Sequence, residues 1–469
     1  MSTFSGLNTA MSGLNAARLA METAGNNMAN VGTTGYTRQR AEFSSVGSLT
    51  STGFLGSRPG VGQGVMLTGI ARLADAHLDA RVRGTIALAA QSDTRAEAMS
   101  NLEGILREPG ENGLSTLLND FWAGWQDVAN QPGAASPAAV LIERAKAVAS
   151  RIDLSRTEIS SQWETQRQSL DTMVAEINAA AHAVAGLNEQ IRTTIASGGT
   201  PNALLDQRAI LVQNISELSG ANVRELPDGT VDVLIDGNSL VTGGTVRPLA
   251  ATGSMNFAGT GTAPSVQWAH RPDSPIALQT GRLAGALAIL APADGTGTGG
   301  SLAEAAKSLD GIAHELATRV NNVQASGFTT AGDPGQPFFG FDASGNLTVL
   351  AKGAGDLATS SSASGNLDGS NAAKMAALGS APGGPDSLWA NLVIKIGAAT
   401  RAEAQQAVST AVAASGAISA QQAVSAVSLD EENVALITNQ HAFQGAARVM
   451  TAIDEMLDTL INRTGLVGR

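Results

Sequence analysis

Five histidines, His77, His182, His270, His314 and His441, are the residues of this 469-residue chain best suited to hold a metal or move a proton. No two of them fall at the helical spacing of a metal-binding pair. Asp75, His77 and Asp79 alternate, but in a stretch that otherwise reads as helix, side chains two positions apart diverge. They are expected on the surface, not around an ion. Cysteine is absent, which removes thiol chemistry and disulfides together. Gly60-x-Gly62-x-Gly64 and Gly295–Gly300 lack the strand–turn–helix setting of a phosphate loop, and there is no Gly-x-Ser-x-Gly elbow. The pair Glu431-Glu432 suits the positive end of a helix dipole better than general acid catalysis. These residues predict no enzyme, no metal and no cofactor.

Composition narrows the class further. A net charge of −12 opposes binding to nucleic-acid phosphates and to anionic membrane surfaces. With one Tyr in the chain, aromatic anchors for a stacking surface are few. No stretch reaches the roughly 18 unbroken apolar residues of a membrane span. The N-terminus has no cationic segment followed by an apolar one, so no general secretory signal is expected. A chain exported by a dedicated apparatus would look the same.

The elements that must carry the function are the two ends. Phe4, Leu7, Met11, Leu14, Met21 and Met28 fall on the first and fourth positions of one heptad frame, interrupted by Arg18 and Gly25. Leu429, Leu436, Phe443, Met450 and Leu457 recur every seven residues near the C-terminus, with Ile453 and Leu460 in the alternate row. A 3.5-residue apolar period is that of a coiled coil, and each stripe needs a partner. Periodicity alone leaves open whether that partner lies in the same chain or in another copy. Asn27, Asn30 and Tyr36 either contact other copies or end the first helix and shape the turn after it.

Between the ends, residues 1–30 read as a helix, and Val65, Leu67 and Ile70 as a short strand after a Gly/Ser/Thr-rich loop at 47–64. Helices follow over Ala74–Leu106 and Leu114–Asn130. Residues 138–196 carry the longest periodic block and, as one helix, would span ~88 Å, right for a rod-like bundle. Pro201 opens a helix through Leu218. Val223, Val231, Val233 and Ile235 flank Pro227-Asp228-Gly229 as a hairpin. Residues 250–275 and 328–384 read as irregular, helices return at 279–291 and 301–325, and the chain is helical from Leu388. Ser428 and Glu431 form a capping box for a final helix over 429–463. Phe121, Trp122 and Trp125 are assigned to packing between helices.

Asn26-Asn27-Met28-Ala29-Asn30-Val31-Gly32-Thr33-Thr34-Gly35-Tyr36 resembles the N-terminal signature of the bacterial flagellar rod, hook and hook-associated axial proteins. The end, from Leu429-Asp430-Glu431-Glu432 through Asp454 to Asn462, is similar to that family's C-terminal helix. Within the family, Thr37-Arg38-Gln39, the block Pro59–Val65 with Ile70, Arg72, Asp75, Leu78 and Asp79, the segment Pro201–Arg208, the helix Leu309–Gly327 and Phe338-Phe339 resemble the hook-associated protein 1 subfamily. The second insertion is short, which puts in doubt an extra outer domain that longer members have.

The resemblance implies a structural protein of the flagellum, self-assembled into a ring between hook and filament, with hook protein on one side and hook-associated protein 3 on the other. It also implies export through the flagellar type III apparatus, with a chaperone on the C-terminal helix, and an extracellular location without a cleavable signal. It favours a terminal seam shared among subunits. A hook or distal rod protein shares both terminal motifs and would be marked by a mainly β core; a secreted hydrolase on an axial tail would need a catalytic cluster in the middle.

The expected fold is mainly α with smaller β parts: terminal coiled-coil helices paired together, an elongated helical bundle and outward β-rich insertions. The expected division is a terminal assembly domain (1–70 plus 428–469), a rod-like helical domain (71–219, 276–327 and 386–427) and a β-rich or irregular outer domain (220–275 plus 328–385).

Overall fold

A computed structural model describes residues 3–47, 62–257, 263–294, 296–364 and 367–463 of the chain. Most of the loop expected over 47–64 and residue 295 lie outside those residues. The chain opens with α1 (Thr3–Ala29) and an antiparallel ribbon of β1 (Gln39–Ser45) and β2 (Val65–Arg72). Four helices follow: α2 (Ala76–Leu106), α3 (Leu114–Asn130), α4 (Ala135–Ala196) and α5 (Asn202–Ser219). A meander of β3 (Asn222–Glu225), β4 (Val231–Ile235), β5 (Asn238–Thr242) and β6 (Thr245–Val246) comes next. A second sheet holds β7 (Leu249–Thr252), β8 (Ser265–Trp268) and β9 (Arg271–Pro275). The chain then runs through α6 (Arg282–Leu290), α7 (Ser301–Ala325), the hairpin of β10 (Phe339–Phe341) and β11 (Leu347–Val349), and α8 (Ser370–Ala377). It closes with α9 (Pro385–Ser425) and α10 (Leu429–Asp458).

The terminal helices pair as the sequence predicts. α10 packs on α1 and α9 packs on α2, so the last two helices run back along the first two. Both pairs are antiparallel. In the second, Gln421 Nε2 donates to Asp79 Oδ1 at 2.6 Å at one end, and Thr400 Oγ1 donates to the Met99 carbonyl at 3.3 Å towards the other. α4 is one unbroken helix of 62 residues, ~93 Å long. It buries Ile152, Ile159, Trp163, Leu170, Ile177 and Val184 along the face whose period marked it in the sequence. Phe121, Trp122 and Trp125 of α3 lie in the same core, against α4 and α8.

The sheets are fastened to the helices by one repeated device. Asn178 of α4 donates to the Leu249 carbonyl at 2.9 Å and accepts from its amide at 2.8 Å. Ten residues on, Asn188 does the same to Val231, at 2.9 and 3.1 Å. Asn321 of α7 donates to the Phe339 carbonyl at 2.8 Å and accepts from the Phe338 and Phe339 amides. A primary amide offers one donor face and one acceptor face, so it completes a strand edge as a neighbouring strand would. Unpaired, those buried backbone groups would each cost free energy comparable to a lost hydrogen bond.

Two expectations from the sequence need correction. Residues 250–275 are not irregular but contain most of the β7–β9 sheet, whose inward residues are few: Val266 and Trp268 are buried while all of β9 is exposed. So little apolar alternation carries no strand signal; cross-strand bonds and Asn178 hold the sheet instead. Residues 328–384 likewise hold regular structure and are fastened to the helices. Phe338 and Phe339 are fully buried against α3, with Phe338 5.3 Å from Trp125 and Phe339 5.7 Å from Phe121 between ring centroids.

Candidate assembly surface

The α1–α10 pair is built on small residues. Ala10, Ala17 and Ala24, seven apart, are buried on α1, while the row Leu7, Leu14, Met21 and Met28 is half-buried beside them. Phe4 and Met11 point away, at 66% and 55% exposure. The contact face of α1 is therefore rotated from the stripe of large residues. Small side chains let the backbones approach closely: a methyl added at Gly6 would lie 3.2 Å from Ile453 Cδ1, and one at Gly13 4.0 Å from Ala446 Cβ. Sequence reasoning missed this row, although its seven-residue recurrence is visible once small residues are counted.

On α10 and the turn after it, the frame read from the sequence is covered only in part. Ile453 is buried, Leu436, Phe443, Met450 and Leu457 are half-buried, and Leu429 and Leu460 are exposed. Val434, Ile437, Val449, Met456 and Ile461, outside that frame, are exposed as well. Two paired helices thus leave apolar side chains exposed along much of their length.

The polar residues of the signature are used within the chain. Asn27 is buried and clamps β1 as the other asparagines clamp their strands, donating to the Gln39 carbonyl at 2.8 Å and accepting from its amide at 3.0 Å. Its Nδ2 also donates to Glu432 Oε2 at 3.1 Å. Arg38 closes the group, with Nε 2.6 Å from Glu432 Oε1 and a terminal nitrogen on Glu431. Glu431 therefore serves Arg38, while Ser428 caps α10 by accepting from the Glu431 amide. The Tyr36 hydroxyl donates to Asn27 Oδ1 at 2.8 Å or Asn26 Oδ1 at 3.0 Å. Burial, with Asp206 and Glu432 nearby, pushes its pKa up to about 12. Asn30, half-buried, donates to the Asn26 carbonyl at 2.9 Å and shapes the turn.

The segment Pro201–Arg208 locks this base to the helical body. Asn202 donates to the Ile70 carbonyl at 2.9 Å, and Asp206 accepts from Arg72 Nε at 2.6 Å and from the Thr37 amide at 3.3 Å. Arg208 reaches Asn188 Oδ1 at 3.0 Å and the Gly229 carbonyl at 2.7 Å, and burial lowers its pKa to about 10. The alternating Asp75, His77 and Asp79 have structural work. Asp75 caps α2 by accepting from the His77 and Leu78 amides, which holds its carboxyl below the usual range, and Asp79 accepts from Gln421. Among the described residues, no three of His, Asp and Glu are placed to hold a metal ion, and no helix is long and apolar enough to cross a membrane.

A chain whose two ends pair into one coil beneath a helical body has the plan of a flagellar axial protein. Residues 7–37 match the family described as flagella basal body rod protein, and 418–463 the one described as flagellar basal body rod FlgEFG protein C-terminal. Residues 99–339 match the flagellar hook-associated protein FlgK helical domain. Flagellar hook-associated protein 1 of Bacillus subtilis is 30% identical over the full length of both chains. The Escherichia coli protein of that name is 31% identical over 75% of this chain and 62% of its own, so this chain spans about three-fifths of that relative. The solved flagellar hook junction protein FlgK from Burkholderia pseudomallei superposes with a TM-score of 0.62 at 15% identity, over 73% of this chain and 99% of that one, and so shares the fold. The chain belongs to the flagellar hook-associated protein 1 (FlgK) family, structural components of the bacterial flagellum.

Proposed function

We propose that this protein forms the ring that joins hook to filament, with architecture and not catalysis as its role. The observation that carries this reading is the apolar surface left uncovered on the α1–α10 pair, from Phe4 and Met11 to Val434, Ile437, Val449 and Met456. Copies of the chain and of the hook protein would cover it, with hook-associated protein 3 on the filament side. Phe4, Leu7, Met11, Leu14, Met21, Met28, Leu429, Leu436, Phe443, Met450, Leu457 and Leu460 belong to that shared seam. In this reading α1, the β1–β2 ribbon and α10 are the assembly domain, the long helices are a spacer, and the sheets over 222–275 face outward.

Export unfolded through the flagellar type III channel, with a chaperone on α10, accounts for an apolar helix that is stable only once neighbours cover it. The surface of the assembled flagellum, outside the cell, is then its location. Deleting the gene and imaging the cells by negative stain tests the reading. Bare hooks, with filament protein lost to the medium, are expected; filaments of normal length on the deletion strain would overturn it.

A further inference from the structure

The seam between α1 and α10 is repetitive. Gly6 faces Ile453, Gly13 faces Ala446, Ala20 and Asn439 line one recess, and Asn27 bonds to Glu432, each layer seven residues further along α1 and seven back along α10. The first three α1 positions are near-equivalents in size. A seven-residue slip would therefore keep small residues facing α10, and the same holds if α1 pairs with α10 of another copy. The fourth layer differs. Glu432 is 3% exposed, and both its oxygens are taken, one by Arg38 and one by Asn27.

We propose that Glu432 is the register-setting residue of the terminal coil, keeping α1 and α10 aligned and disfavouring slipped pairings. In the slip that sets Gly6 opposite Ala446, the Glu432 carboxylate faces Ala20 and loses both donors. A buried charge without partners is strongly unfavourable, and one polar residue in an apolar coil is known to specify register at a cost in stability. Arg38 and Asn27 are the only charged or amide groups the argument needs, and both sit on the body side, so the coil is aligned from its base outward.

The absence of cysteine makes a direct test possible. Gly13→Cys with Ala446→Cys reports the native register, since a Cβ at 13 would lie 4.0 Å from that of Ala446, within the range a disulfide spans. Gly6→Cys with Ala446→Cys reports the slip. The purified full-length chain is oxidised and its products are resolved on a gel, where within-chain and between-chain bridges differ in mass. With Glu432 present, only the native pair should close efficiently. In Glu432→Ala, the slipped product should rise roughly tenfold, the scale of losing a charge-assisted hydrogen bond.

Moving the polar layer supplies the control that a merely stabilising role would fail. Ala20→Asn with Asn439→Glu, in the Glu432→Ala background, should restore the native bridge over the slipped one. Unchanged products in Glu432→Ala, or loss of both bridges without recovery in the relocated variant, would overturn the proposal. Neither readout depends on the junction role, so the two can fail separately.

Discussion

Arg72 and Asp206 meet at 2.6 Å across the joint between the terminal base and the helical body, one from the end of β2 and the other from the first turns of α5. Both side chains are mostly buried, and Asp206 also accepts from the Thr37 amide. Removing one partner leaves the other charge uncompensated. Asp206→Ala should destabilise the joint by about 3 kcal/mol or more. Limited proteolysis should show faster cutting near residues 30–38, while the body's own melting transition is retained. Unaltered cleavage there would show that the pair carries no load.

Phe443 and Leu457 are half-buried on α10, in the seam proposed to be shared among subunits. Phe443→Asp or Leu457→Asp places a carboxylate in that seam, at a cost of several kcal/mol without a partner. Incorporation into the flagellum should be lost while circular dichroism of the body is preserved. A variant that still assembles into a working junction would mean the seam lies elsewhere.

Tyr36 gives the base a signature at high pH. Its pKa stands at about 12 in the fold against an ordinary 10, so the folded protein holds the phenol proton where the unfolded chain has released it. Stability from this group is therefore full below pH 10 and falls as pH rises from 10 towards 12. Melting temperature measured from pH 9 to 11 should drop more steeply for the parent than for Tyr36→Phe. Parallel curves would refute the assignment.

Asn321 holds three backbone groups of the Phe338-Phe339 segment. Asn321→Ala orphans all of them beside two fully buried rings and should cost about 2–4 kcal/mol. Urea unfolding of the body should register it. A loss under about 0.5 kcal/mol would mean water replaces the amide.

Tolerance to change should follow packing and not turn-rich composition. The tip Asp236-Gly237, both residues at positive φ in a two-residue hairpin turn, is exposed and should accept a short Gly/Ser insertion with little loss. Replacing Gly353–Gly369 by a linker should lower the body's melting temperature, because Leu357 and Ala358 are buried and Ser360 exchanges backbone bonds with Phe328. Equal tolerance at both places would contradict this packing.

How far the sequence reached can be followed residue by residue. The 3.6- and 3.5-residue periods place α2, α3, α4 and α5 within two residues or so of their ends at most boundaries, and Ser428 starts α10 through local side-chain chemistry. The signature around Tyr36 and the last helix identify the family because such motifs are contiguous. Strands as short as β7–β9, of which only β8 alternates and over just four residues, leave no such trace.

The sequence by itself determined where the helices run, that both ends present apolar stripes, and which family the chain joins. These depend on neighbours within a few turns. Tertiary structure alone decided that α1 meets α10 through Gly6, Gly13 and Asn27 and not through Phe4 and Met11. It also decided that four asparagines, 27, 178, 188 and 321, clamp strands, and that Asn27 finds Glu432 405 positions away. A period shows that a face is apolar, but the closest-packing face is chosen by what stands opposite. A side-chain hydrogen bond between distant segments has no local signal until the chain has folded to bring its two atoms together.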